Sequence, residues 1–131
     1  MRYLLLVSHA KLAEGVRSAL EMLMGPKEHV FAIGMEEGEA PEDFGGRVAQ
    51  TFDKLTASDE VIVLGDIAGG SPLTCAVRAL DELGLAGRYL AFGGLNLPMA
   101  IGAIMAVADD QDLDAVRDGV LANGVDAVCE L

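Results

Sequence analysis

Two short runs that are apolar at every position constrain this chain most. Tyr3-Leu4-Leu5-Leu6-Val7 lies near its start and Val61-Ile62-Val63-Leu64 near its middle. A strand with one face in water alternates apolar and polar residues. A run that does not alternate fits a strand covered on both faces, as in the centre of a parallel sheet. Such a sheet needs helices on both sides, so the segments between the runs must supply them.

Those segments have helical spacing. Arg2 to Ser8 reads as a first strand and, after the turn Ser8-His9-Ala10, Lys11 to Met24 reads as a helix with Leu12, Val16, Ala19, Leu20 and Leu23 on one stripe. Gly25-Pro26 ends it. Val30 to Met35 is a second strand, and Pro41 opens a second helix whose apolar stripe is Phe44, Val48, Phe52 and Leu55. Glu60 to Gly65 is the third strand, followed by a helix from Pro72 to Leu83. Arg88 to Phe92 is the fourth, with helices expected over about Pro98 to Val107 and Asp112 to Ala122. Asn123-Gly124 is a turn signal. In the final stretch, Val125, Ala127, Cys129 and Leu131 alternate with Asp126 and Glu130 over most of its length, the pattern of a half-exposed edge strand. The order predicts a doubly wound α/β sheet in one domain spanning residues 1–131.

In such a sheet, chemistry gathers outside the carboxyl ends of the strands. His9 follows the first strand, Asp66 the third and Asn96 the fourth, so all three share one edge. After Asp66 comes Ile67-Ala68-Gly69-Gly70-Ser71-Pro72. The glycines permit a sharp turn, with Ser71 as helix N-cap and Pro72 as first helical residue. Free amides at a helix start favour an anion, so Gly69, Gly70 and Ser71 are candidates to hold phosphoryl oxygens. Asp66 is out of place beside an anion unless it orients something else, and the candidate is His9. A carboxylate accepting Nδ1–H leaves Nε2 free as a nucleophile. Each residue also has a plainer reading. Asp66 would satisfy turn amides, Ser71-Pro72 would be an ordinary cap, and Asn96 would mark a rigid helix entry. His29, beside the second strand, has no comparable partner and reads as a surface residue.

Composition narrows the classes further. Nine basic against 21 acidic residues give a net charge of −12, which opposes binding to nucleic acid and favours small basic patches on protein partners. No apolar run approaches the roughly 20 residues that span a bilayer, and the start does not resemble a signal peptide. Cys75 and Cys129 lack metal-ligand spacing and read as two reduced, buried thiols in a cytoplasmic protein. The phosphate-binding Gly-x-x-x-x-Gly-Lys-Ser/Thr loop, the dinucleotide Gly-x-Gly-x-x-Gly turn and the hydrolase Gly-x-Ser-x-Gly elbow are all absent. No metal or organic cofactor is expected. A regulator binding a ligand without covalent chemistry and a structural dimerisation domain are the competing classes.

Three motifs, Leu6-Val7-Ser8-His9, Gly65-Asp66-Ile67-Ala68-Gly69-Gly70-Ser71-Pro72 and Gly94-Leu95-Asn96-Leu97-Pro98-Met99, occur in the order and spacing of a known family. The chain resembles the mannose-type (mannose/fructose/sorbose) IIA component of the bacterial phosphoenolpyruvate-dependent sugar phosphotransferase system. The resemblance implies a flavodoxin-like domain, homodimeric, with its last strand exchanged onto the partner's sheet. It implies a phosphoryl carrier, with His9 accepting phosphate from phospho-HPr and passing it to a IIB component. Membrane IIC and IID components act downstream. On this resemblance Asp66 orients His9, Gly69, Gly70 and Ser71 bind the phosphoryl group, and Asn96 lines the site. Ala10 stands where a glycine commonly follows the family's histidine, and Ala68 where a bulkier residue is usual. A regulatory IIA domain and the phosphoryl-carrier subunit of a phosphotransferase-dependent dihydroxyacetone kinase are related readings.

Overall fold

The computed structural model describes residues 1–131. Its elements run β1 (Arg2–His9), α1 (Leu12–Met24), β2 (Val30–Met35), α2 (Pro41–Thr51), β3 (Glu60–Gly65), α3 (Ser71–Glu82), β4 (Tyr89–Phe92), α4 (Leu97–Val107) and α5 (Leu113–Asp126). The four strands form one parallel sheet in the order β2-β1-β3-β4. The winding reverses between β1 and β3, the two strands with continuous apolar runs.

Those runs split by parity, as side chains on a strand must. Leu4, Leu6, Ile62 and Leu64 face one layer with Ala13 and Leu20 of α1, Met99, Ala100 and Ala103 of α4, and Val116 and Val120 of α5. Leu5, Val7, Val61 and Val63 face the other with Phe44 and Val48 of α2, and Leu73, Ala76 and Leu80 of α3. All eight strand residues are fully buried. At about 1.5–3 kcal/mol per large apolar side chain, this double burial dominates the drive to fold. At the opposite edge from the site, Arg2 anchors the polar break that follows α4. Its guanidinium donates to the carbonyls of Ala106, Asp109 and Gln111 and pairs with Glu60.

Four expectations need correction. On α1 the buried stripe is carried by Ala13 and Leu20 with Val16 and Met24 packed beside them, whereas Leu12 and Leu23 are exposed. Asn123-Gly124 is not a turn, because α5 runs through it to Asp126. A Cβ on Gly124 would stand 2.8 Å from Met99 Cε and 3.1 Å from Met99 Cβ. Glycine there lets α5 lie close against α4, so close packing, not a turn, accounts for it. The expected edge strand over 125–131 does not form within the chain. Val125 and Asp126 are helical, and residues 127–131 have no regular structure and pair with no strand. Cys129 consequently lies exposed, while Cys75 is buried as expected.

Candidate active site

Pairing between β1 and β3 ends at Val7 and Gly65. Beyond that point β1 continues for two residues while the chain after β3 turns away. Ser8 points inward and is buried, where its Oγ accepts the Ala13 amide at 2.7 Å and fixes the entry to α1. His9, next along the strand, therefore points outward. Its backbone N–H finds the Asp66 carboxylate, donating to Oδ2 at 2.9 Å. The same oxygen lies 2.8 Å from His9 Nδ1. A carboxylate only accepts, so Nδ1 carries the proton and a neutral ring keeps its lone pair on Nε2. Asp66 Oδ1 accepts the Ile67 amide at 2.9 Å. The ring's side chain is 51% exposed and that of Asp66 10%.

Burial raises the Asp66 carboxyl's pKa, but the His9 amide, the His9 ring and the Ile67 amide outweigh it. Together they hold the carboxyl below its usual range.

The loop after Asp66 is folded by backbone alone. Gly69 takes φ +78°, and the Gly70 N–H donates to the Ile67 carbonyl at 3.1 Å. This turn makes Gly70 the N-cap and Ser71 the first residue of α3, one position earlier than expected, with no side-chain cap. Ser71's hydroxyl is thus not used in capping and stands exposed at the positive end of a helix. A Cβ on Gly70 would stand 3.3 Å from His9 Cε1, so glycine leaves the ring room beside the helix start.

The loop after β4 braces this one. Gly94 N–H donates to the Asp66 carbonyl at 3.2 Å and Leu95 N–H to the Gly65 carbonyl at 3.0 Å. A Cβ on Gly93 would come within 2.8 Å of the Ala68 N and Cα atoms, so the two loops touch backbone to backbone. Asn96 serves this brace. Its Oδ1 caps α4 by accepting the Met99 amide at 3.0 Å, and its Nδ2 donates to Gly94 and Gly124 carbonyls. These bonds are to its own loop, α4 and α5, and none reaches His9 or Asp66. The helix-entry role is therefore the observed one.

Sequence reasoning missed the exposure of two apolar residues flanking the site and the backbone conformation of a third. Leu12 and Ile67 are 51% and 57% exposed in the segments that carry His9 and Asp66. The signal for Leu12 was its place as the first residue of α1, before the helix has a covered face. Ala10 has φ +49°, a left-handed conformation costing a non-glycine residue about 1–2 kcal/mol. Its N–H donates to the Met35 carbonyl of β2 at 2.8 Å. His29 is half-buried, with its ring edge-on to Tyr3 at 5.2 Å, and lies at the start of β2 away from the site.

A family model described as the PTS (phosphotransferase system) fructose IIA component matches residues 3–121. The PTS mannose-specific EIIAB component of Escherichia coli (strain K12) is 31% identical over 123 residues, 88% of this chain and 37% of that protein. The chain thus spans little more than a third of the length of the curated relatives it matches. The mannose/sorbose-specific IIA subunit from Enterococcus faecalis superposes with a TM-score of 0.84 at 25% identity, covering 99% of this chain and 94% of that one. The EIIA component from Streptococcus agalactiae superposes with a TM-score of 0.87 at 23% identity, covering 99% and 97%.

Because Asp66 sits below its usual pKa in the folded chain, its bonds contribute stability that is complete above about pH 4, the unfolded value. That contribution declines as pH falls below the unfolded value and is gone below the lower native one. Urea denaturation between pH 7 and 2.5 should show the gap between wild type and Asp66→Asn narrowing only in this acid range. A gap that does not change with pH would show that the carboxylate's charge contributes nothing.

Proposed function

The chain belongs to the mannose-type IIA family of the phosphotransferase system, and we propose that it is a phosphoryl carrier whose reacting atom is His9 Nε2. The observation that carries this reading is the pair of hydrogen bonds from His9, backbone N–H and ring Nδ1–H, to one Asp66 oxygen, which turns Nε2 outward beside a helix N-terminus. The Nε2 lone pair attacks the phosphorus of phospho-HPr. A new N–P bond forms as the donor's N–P bond breaks, and that bond's electron pair returns to the donor's ring nitrogen. Phosphorylation makes the ring imidazolium-like, and the Asp66 carboxylate balances the developing charge through Nδ1–H. Ser71 with the amides near Gly69 and Gly70 receives the phosphoryl oxygens, so dipoles bind an anion on a chain of net charge −12. The return step passes the group to a IIB component, with IIC and IID downstream, for sugar uptake.

Leu12 and Ile67 supply an apolar rim on which HPr and IIB dock in turn, and the acidic chain attracts basic patches on them. We place the carrier in the cytoplasm as one IIA domain over residues 1–131. No helix is long and apolar enough to cross a membrane. We also propose a homodimer in which the tail after Asp126 pairs with the partner's sheet. Support comes from exposed Val128 and Leu131 and from the outer edge of β4, which no strand of this chain covers.

Incubation with phosphoenolpyruvate, enzyme I and HPr should place an acid-labile phosphoryl label on the wild type and none on His9→Ala. Equal labelling of both would sink the assignment. Asp66→Asn should fold but transfer about 10- to 100-fold more slowly, the loss of one hydrogen bond to a charged group. Sedimentation at micromolar concentration should give a dimer for the full chain and a monomer for a chain ending at Asp126. A full-length monomer would contradict the exchange.

A further inference from the structure

We propose that Gly34 of β2 is a positioning residue for His9, acting through the carbonyl of Ala10; this rests on the phosphoryl-carrier reading above. Gly34 is buried and faces the β1–α1 turn. A Cβ built on it would overlap the Ala10 carbonyl oxygen and stand 3.0 Å from the Ala10 carbonyl carbon. Both atoms are backbone, so the clash has no flexible side chain to relieve it. The peptide it would displace is the one joining Ala10 to Lys11, one residue beyond His9.

That turn has little freedom to give way. Ala10 is already left-handed at φ +49°, where a Cβ permits only a narrow range, and its N–H is held by the Met35 carbonyl at 2.8 Å. On the other side the His9 N–H is held by Asp66. The histidine is thus fixed between two strands, through its own amide towards β3 and through the next amide towards β2. Gly34 is where the β2 backbone lies against the Ala10 carbonyl.

Gly34 is itself held. Arg47 of α2 donates from Nη2 to the Gly34 carbonyl at 2.6 Å, and its guanidinium is paired with Glu39 at 2.8 and 2.9 Å. The Glu39 carboxyl lies below its usual pKa, chiefly because of Arg47. A cation from α2 therefore fixes the β2 residue on which the histidine's turn rests. A side chain at position 34 would move that turn, and a misplacement of about 1 Å in a reacting group can slow a reaction about a hundredfold.

The test compares full-length wild type, Gly34→Ala, Ala10→Gly and the double variant. Transfer from phospho-HPr is measured together with the nitrogen-15 resonances of the His9 ring. We expect Gly34→Ala to lower kcat by about ten- to a hundredfold with KM nearly unchanged, and to shift the ring signals. The double variant should regain most of the rate and the wild-type ring signals, because glycine at position 10 lets the carbonyl turn aside. A Gly34→Ala chain with wild-type kcat and ring signals would overturn the proposal. So would a loss in Gly34→Ala, whether of rate or of folding, that Ala10→Gly leaves unrepaired. If wild type itself accepts no phosphoryl group, the carrier reading fails, and the ring signals still decide whether Gly34 positions His9.

Discussion

One carboxylate oxygen organises the functional end of this molecule. Asp66 Oδ2 takes both the backbone N–H and the ring Nδ1–H of His9, so one atom fixes where the residue sits and how its ring turns. It can do so because the β1–β3 ladder stops just short of it, leaving the His9 amide to a side chain instead of a strand carbonyl. The arrangement is electrostatically coherent. An anion is largely enclosed and accepts from three N–H donors, which hold its carboxyl below the usual range. What remains outward is Nε2, close to the start of α3.

The surrounding loops hold this arrangement with glycine and backbone contacts. Gly93 lets the β4 loop meet Ala68, Gly34 lets β2 meet Ala10, and Gly70 makes room for the ring. Such contacts leave little slack, since no side chain can change rotamer to absorb an error. On the proposed carrier reading, the exposed Ser71 hydroxyl and the amides at the start of α3 receive the phosphoryl oxygens as neutral dipoles. Binding by neutral dipoles is weaker than binding by arginine or lysine.

The sheet was legible because its central strands carry runs that are apolar at every position, a pattern that fits a doubly covered sheet. The shared edge of His9 and Asp66 followed from strand order alone. Contacts between distant segments were not legible. Gly124 looks like a turn residue until α4 lies against it, and the bond from Asn96 Nδ2 to the Gly124 carbonyl joins segments far apart in sequence. Ser71 reads as a cap because serine usually is one, yet the Gly69-Gly70 turn does that work and leaves its hydroxyl exposed. The alternating tail pairs with no strand of its own chain, although the outer edge of β4 is open.

The Asp66 bond decides which ring nitrogen of His9 is left to react. Phosphorylating nitrogen-15-labelled protein and observing coupling between phosphorus and the ring nitrogens tests this directly. The geometry predicts coupling to Nε2, with Nδ1 still carrying a proton bonded to Asp66. Phosphorus on Nδ1 would require the His9–Asp66 bond to break before reaction and would contradict the account.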